Sequence, residues 1–304
     1  MRTALLVNAK PRRGAIWFAE AHDRLQALGV PLEESVLVHN PHELLDHFNR
    51  MKREGIHRLV LGGGDGTFSL VARHLVKAQM ILGVLPLGTG NAFARDLGIP
   101  TRIDRACEII AEGNVGRVDL GLANDDYFLN VATVGLTTYI AQNLRHEEKR
   151  LLGPWAYALS LMRSWRSVEP FHCEFRTHET REQFDALQVV IGNGRYHAGP
   201  FLISPHAELQ DGRVSMYAVT KAPPARLLRV AVAFAFGRHP AEPDVFHLET
   251  TGGRLTTDPV RPVTVDGEVC TETPLHFSVA QRVLQVHLPP EGPARAADAD
   301  APNQ

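Results

Sequence analysis

The stretch Leu59-Val60-Leu61-Gly62-Gly63-Gly64-Asp65-Gly66-Thr67-Phe68-Ser69 decides how the first half of the chain is read. Leu59 to Leu61 is a short apolar run of strand type, and a helical pattern runs from Phe68 to Ala78, so the glycines lie in a strand-to-helix turn. Consecutive glycines let backbone N–H groups approach a phosphate without side-chain clash. The helix N-terminus behind them adds unpaired N–H groups and the positive end of its dipole. Thr67 is placed to cap that helix. Asp65 would repel a phosphate unless a hard cation such as Mg²⁺ lay between them. The turn therefore suggests a magnesium–nucleoside phosphate. A dinucleotide fingerprint fails because Thr67 stands where its last glycine belongs, and a P-loop fails because no Lys follows the glycines. A tight turn without a ligand is the plainer alternative, disfavoured by the chain entropy of four glycines within five residues.

Outward from this turn, strands and helices alternate. Ala4–Val7, Val36–Val38, Leu59–Leu61 and Ile81–Leu85 read as strands, and Ile16–Leu28, His42–Glu54, Phe68–Ala78 and a short segment from Asn91 as helices. Such alternation predicts a doubly wound parallel sheet covered on both faces, with ligands at the carboxyl ends of its strands. After Asp119 the pattern changes. Phe128–Val134 reads as a strand and Thr137–Ser167 as mostly helical. Cys173–Thr177, Leu187–Ile191, Val214–Val219, Val263–Val265, Leu275–Val279 and Val283–Leu288 are short β-type runs, punctuated by turns such as Asn193-Gly194 and Asp211-Gly212. The fold class expected is α/β plus β: residues 1–121 as a nucleotide-binding domain and 122–280 as a β-sandwich. The Pro- and Ala-rich residues 291–304 read as a disordered tail.

The composition narrows the classes. The 304 residues are 44% hydrophobic and 22% charged, with a net charge of -2. Disorder through most of the chain and a dedicated nucleic-acid binder are both disfavoured. The three cysteines, Cys107, Cys173 and Cys270, are scattered, which supports neither a disulfide framework nor a zinc site. The longest charge-free stretch, Ala78 to Ala94, is interrupted by glycines and Pro86, so no membrane span is expected. A reducing, cytoplasmic setting is the plain reading.

A second glycine turn, Pro86-Leu87-Gly88-Thr89-Gly90-Asn91, follows the fourth strand and emerges on the same sheet edge as the first. Thr89 and Asn91 offer hydrogen bonds to phosphate or ribose. Together with Val265-Asp266-Gly267-Glu268, the two turns resemble the diacylglycerol kinase and sphingosine kinase family of lipid kinases, with bacterial lipid kinases most similar. Val7-Asn8, Val118-Asp119-Leu120-Gly121, Asn130-Val131-Ala132 and Gly194-Arg195-Tyr196-His197-Ala198-Gly199 fall where that family has similar segments, so the likeness covers nearly the whole chain.

The resemblance implies an ATP- and Mg²⁺-dependent kinase with its active site in a cleft between the two domains, and a last strand within 281–290 that returns to the first. It places ATP against Asn8, Gly63, Gly64, Asp65, Gly66, Thr67, Phe68, Ser69, Thr89 and Asn91, bordered by the Lys10–Gly14 turn. Asp65 and Asp119 would serve a carboxylate network around Mg²⁺. Asp266-Gly267-Glu268, in isolation a surface hairpin turn, would hold the group that activates the acceptor hydroxyl, Glu268 first and Asp266 second. A structural Mg²⁺ would sit on the Asp211 carboxylate and the carbonyls of Glu208 and Arg213; a plain Asp-Gly turn is the alternative. The partners implied are ATP and a lipid at a membrane surface, with peripheral contact at the inner membrane face. The basic, aromatic segment Arg145–Arg166 is a candidate for that contact, and a homodimer is compatible with the reading.

The chain departs from the family at Ser69 and Leu70, where a polar–acidic pair is usual, at Ala92, where many bacterial relatives carry Asp, and at His39, often Thr. Two rival readings follow. One is an NAD kinase-like enzyme with a soluble acceptor, which shares the Gly-Gly-Asp-Gly-Thr run. The other is a non-catalytic nucleotide sensor, supported by the departures alone.

Overall fold

The structure is a computed structural model that describes residues 1–8, 14–40, 43–136, 138, 169–197, 201–202, 204, 206–223, 226, 229–230 and 242–293. The segments Lys10–Arg13, Arg145–Arg166 and 294–304, singled out above, lie outside the described residues. The chain divides into two compact units, Met1–Leu120 with Gln281–Gln304, and Gly121–Ala280.

The first unit contains β1 (Thr3–Asn8), α1 (Gly14–Ala27), β2 (Leu32–Val38), α2 (Leu44–Arg53), β3 (Arg58–Gly63), α3 (Asp65–Ala78), β4 (Ile81–Pro86), α4 (Ala92–Asp96), α5 (Ile103–Glu112) and most of β5 (Val115–Ala123). Strand β1 pairs in parallel with β2 and β3, and β3 in parallel with β4. Every residue of β3 is buried, as a strand covered on both faces requires. The register sets Val7 beside Gly62 and Gly63 beside Pro86, so β1, β3 and β4 end together. This shared carboxyl edge is what brings the two glycine turns side by side.

Helix α5 was not expected from the sequence. It buries Ile103, Ala106, Cys107, Ile109 and Ile110 and stops at Gly113, whose φ is 78°. Its N-cap is Arg102, which makes no side-chain capping bond, so the usual start signal is missing. Helix α3 begins at Asp65, three residues before the apolar pattern that suggested Phe68.

The second unit continues with β6 (Asp126–Phe128), β7 (Val131–Gly135), β8 (Phe171–Arg176), β9 (Arg181–Gly192), β10 (Tyr196–His197), β11 (Phe201–Leu202), β12 (Val214–Thr220), β13 (Val245–Thr250), β14 (Gly252–Asp258), β15 (Pro262–Val265), β16 (Glu268–Glu272) and β17 (Leu275–His287). Pairing is antiparallel throughout, in the order β16-β15-β7-β9-β8-β14-β17, with β12 joining β9 to β13. Alternation is visible in β8, where Phe171, Cys173 and Phe175 are buried between outward His172, Glu174 and Arg176. Phe175 stacks on Phe277 of β17, ring centroids 5.6 Å apart, inside a core that also takes Phe128, Phe171 and Leu255.

Two sequence runs, Leu275–Val279 and Val283–Leu288, form the single strand β17, which leaves the second unit at Ala280 and enters the first at Gln281. There it pairs in parallel with β4 through Val286 and Leu82. The break in apolar pattern between the runs holds Arg282, which has a φ of 52°. Phe128–Val134, expected as one strand, is instead split into β6 and β7 by Leu129 and Asn130.

Candidate active site

In the first unit the two glycine turns are locked to each other. Gly63 lies in β3 and its carbonyl accepts the Leu87 N–H at 2.8 Å. A Cβ on Gly88 would come within 2.6 Å of the Gly64 Cα, and one on Gly63 within 2.6 Å of the Thr67 side chain. Glycine is therefore required at 63 and 88 by close packing. Gly66 differs: a Cβ there would meet nothing within 4 Å, so open space faces the first turn of α3. That helix starts at the N-cap Gly64, which makes no side-chain capping bond. Thr67 is not the cap expected from the sequence. It lies inside the first turn, buried, and its hydroxyl accepts a bond from Asn8 Nδ2 at 2.9 Å.

Asn8, at the end of β1, thus braces the glycine turn with its amide nitrogen. Its Oδ1 is buried and has no partner among the described residues. Leaving a buried acceptor unpaired costs about 1–3 kcal/mol, which a bound donor would recover. Asn91 uses both ends of its side chain locally, accepting the Gly88 N–H at 2.9 Å and donating to the Gly88 carbonyl at 2.9 Å. With a φ of 49°, it closes the second turn, while Thr89 is exposed on that turn. Phe68 and Phe93 pack beneath the turns, centroids 6.2 Å apart, and Ser69 follows on α3 half-buried.

Asp65 is half-buried, and its Oδ1 accepts the Phe93 N–H at 3.1 Å, fastening α4 to the start of α3. Its second oxygen has no partner among the described residues. Asp119, fully buried on β5, accepts the Arg282 N–H at 2.7 Å and so holds the left-handed residue of β17. Among the described residues no three His, Cys, Asp or Glu side chains converge to hold a metal ion. A cation here would therefore share its coordination with phosphate or water oxygens.

In the second unit Asp266-Gly267 is a two-residue hairpin between β15 and β16, with Val265 opposite Glu268. Both turn residues have positive φ, 48° and 94°, as primed hairpin turns demand. The Asp266 carboxylate accepts three consecutive backbone N–H groups, from Leu129 at 2.9 Å and from Asn130 and Val131 at 3.0 Å. Its own N–H donates to the Val131 carbonyl at 2.8 Å. Asp266 thus ties the hairpin to the loop before β7. Glu268 is exposed beside it. Burial, with Asp126 and Glu268 adding to it, pushes the nearby Cys270 thiol up.

The Glu208–Arg213 turn closes on itself. Asp211 accepts the Glu208 N–H at 3.0 Å and the Arg213 N–H at 2.8 Å, and the Glu208 carbonyl accepts the Asp211 N–H at 3.3 Å.

Sequence reasoning gave no role to the polar knot around Leu129–Val131. The Asn193 N–H donates to the Asn130 carbonyl at 2.9 Å, and Asn193 Nδ2 to the Leu129 carbonyl at 3.2 Å. Arg195, in the family-like segment named above, is 1% exposed, with its guanidinium over the Tyr196 ring at 5.7 Å. An Asn in an otherwise apolar strand entry, as at Asn130, was the available signal.

Two family models match in succession, the diacylglycerol kinase catalytic domain over residues 2–123 and the YegS C-terminal NAD kinase beta sandwich-like domain over residues 131–288. The chain belongs to the diacylglycerol kinase-like family of lipid kinases. Among curated relatives, "Probable lipid kinase YegS-like" of Citrobacter koseri is 28% identical over 277 residues, 88% of this chain and 91% of that protein. "Probable lipid kinase YegS" of Salmonella dublin is 29% identical over 252 residues, covering 81% and 83%. Among solved structures, a crystal structure described as a "putative diacylglycerol kinase" from Bacillus anthracis superposes with a TM-score of 0.83, at 25% identity and 96% coverage of both chains. The protein is a kinase with a β-sandwich-like second domain.

Proposed function

We propose that this lipid kinase transfers the γ-phosphate of ATP, with Mg²⁺, to a hydroxyl group of diacylglycerol or a sphingoid-like lipid. The observation that carries the proposal is the uncapped N-terminus of α3. It faces open space at Gly66. The turn from Gly63 to Ser69, with Thr89 on the second turn, would take the phosphates on the N–H groups that precede Thr67, since the Thr67 and Phe68 N–H groups already donate to the Gly64 carbonyl. Asn91 would act by holding the second turn in shape.

The free oxygen of Asp65 fits a hard cation beside the phosphates, and Asp119 is the second carboxylate proposed for it. Bound Mg²⁺ neutralises charge on the transferring phosphoryl group. Glu268 would accept the proton of the lipid hydroxyl as that oxygen bonds to the γ-phosphorus and ADP leaves. Its exposure leaves it accessible to a substrate. Asp266, engaged by three N–H groups, would fix the hairpin that presents Glu268. A second Mg²⁺ on Asp211 with the Glu208 and Arg213 carbonyls would be structural and plays no part in the chemistry.

No helix among the described residues is long and apolar enough to cross a membrane. The setting proposed is cytoplasmic, with peripheral contact at the inner membrane face, and without nucleic acid. Every residue given a role comes from one copy of the chain; sedimentation would show whether two copies pair. Transfer of labelled γ-phosphate to a panel of diacylglycerol, sphingosine, ceramide, phosphatidylglycerol and NAD tests the reading. Label in a lipid product supports it and names the acceptor, whereas label on NAD alone contradicts it.

A further inference from the structure

The outward face of the second unit's sheet carries a charge pattern that the phosphoryl-transfer reading does not use. Antiparallel register places Arg254 of β14 directly opposite Arg176 of β8, and Arg176 directly opposite Arg181 of β9. On its other side Arg254 is opposite His276 of β17. Directly opposed residues share a face and bring their Cβ atoms to about 5 Å, so like charges there are destabilising. Three guanidiniums thus stand in one row across three strands, with an imidazole at its end.

Compensation is partial. Glu174, one pleat along β8, pairs with both Arg176 and Arg181, and the hydrogen bond from Arg176 holds its carboxyl below the usual range. One carboxylate therefore serves two guanidiniums, and Arg254 has no ion pair among the described residues. Glu182 alternates to the opposite face from Arg181. Farther along the same face the sign reverses, where Asp258 and Asp185 flank His172. The cationic row is thus concentrated at one end of the sheet.

At that end lies a groove of about 400 Å³. Arg176, His178 and Arg254 line it together with Thr251, Ser278 and Phe277, and no Asp or Glu does. Guanidinium forks and hydroxyls are the groups that bind phosphate oxygens. We propose that this row and groove dock the second unit on the phosphate headgroups of an anionic lipid bilayer. Charge complementarity points to the occupant. The three arginines are all exposed and spread across the strands, which suits a charged plane. The choice of a bilayer over a soluble phosphate rests on the lipid-kinase reading.

The test is flotation of the full chain, without ATP, with vesicles of phosphatidylcholine alone or with about 30% phosphatidylglycerol, at low and high salt. Binding to the anionic vesicles alone, weakened by salt, is expected. Each surface arginine adds about fivefold to partitioning, so R176Q/R181Q/R254Q should lower it about 100-fold, while R176K/R181K/R254K retains most of it. Thermal melts confirm folding, and K52Q/R53Q on the first unit should leave binding unchanged. Failure of the wild type to float, or equal flotation of the Gln triple variant, overturns the proposal. So does full displacement by millimolar inorganic phosphate, which would indicate a soluble ligand, or preference for a single-stranded oligonucleotide. Turnover of a detergent-dispersed lipid is measured in parallel. If it is absent while anionic vesicles still bind, the kinase reading fails and the surface stands. If it is normal while vesicles are ignored, the reverse holds.

Discussion

Glu268 and Asp266 lie one residue apart and do different work. The Asp266 carboxylate is saturated by three N–H groups, whereas Glu268 is exposed and unconstrained. Glu268→Gln should therefore lower turnover by about 10²- to 10⁴-fold, the range for a lost general base, with ATP affinity and melting temperature near wild type. Asp266→Ala strands three N–H groups and should destabilise the chain by about 3 kcal/mol, read from denaturant melts. Turnover lost in D266A together with stability, but in E268Q without it, distinguishes the positioning residue from the base. The Asp-Gly-Glu turn was legible in the sequence as a hairpin. The partners of Asp266 were not, because they lie at 129–131, and only folding of β7 against β15 brings them together. Thr67 differs from its expected role as a cap for a similar reason: a threonine before an apolar run is a natural cap, but here Asn8, at the end of β1, engages its hydroxyl.

At the scale of elements, the two glycine turns make opposite predictions. Gly88→Ala forces a methyl onto the Gly64 Cα at 2.6 Å and should cost about 3 kcal/mol. Gly66→Ala meets nothing within 4 Å and replaces a helical glycine, so it should stabilise α3 by about 0.5–1 kcal/mol. The same methyl occupies the space assigned to phosphate, and ATP affinity should fall at least tenfold, measured by calorimetry. A stabilised variant with unchanged ATP affinity would remove the phosphate from that turn. These turns were readable in the sequence because they depend on local backbone freedom. Helix α5 and strand β17 were less so. The first starts without a capping side chain, and the second is interrupted at Arg282, whose left-handed backbone is held by Asp119, 163 residues away.

At the scale of the molecule, the return of β17 into the first unit buries a titratable group. His287 is 0% exposed, both ring nitrogens lack partners, and burial with the Arg58 guanidinium nearby lowers its pKa to about 4. Its ordinary value is 6.5, so between these values the unfolded chain binds more protons than the folded one. The folded state is fully favoured above pH 6.5 and loses stability as pH falls toward 4. Between pH 7.5 and 5 the loss from this group should be about 2 kcal/mol. His287→Phe should flatten that part of the stability–pH curve, leaving a smaller slope from His247 and His74, which burial also lowers. An unchanged slope would place the acid sensitivity elsewhere. The two-part architecture was evident in the sequence because the hydrophobic period changes near Asp119. The exact passage of β17 between units was not, since it depends on pairing with β4, about 200 residues earlier in the chain.

The measurement that tests the central claim most directly is single-turnover transfer of labelled γ-phosphate to diacylglycerol, comparing the wild type with E268Q at matched ATP occupancy. The account predicts an organic-extractable labelled product from the wild type, dependent on Mg²⁺, and a rate at least 100-fold lower in E268Q. Equal rates in the two proteins, or transfer to water or NAD in place of lipid, would contradict it.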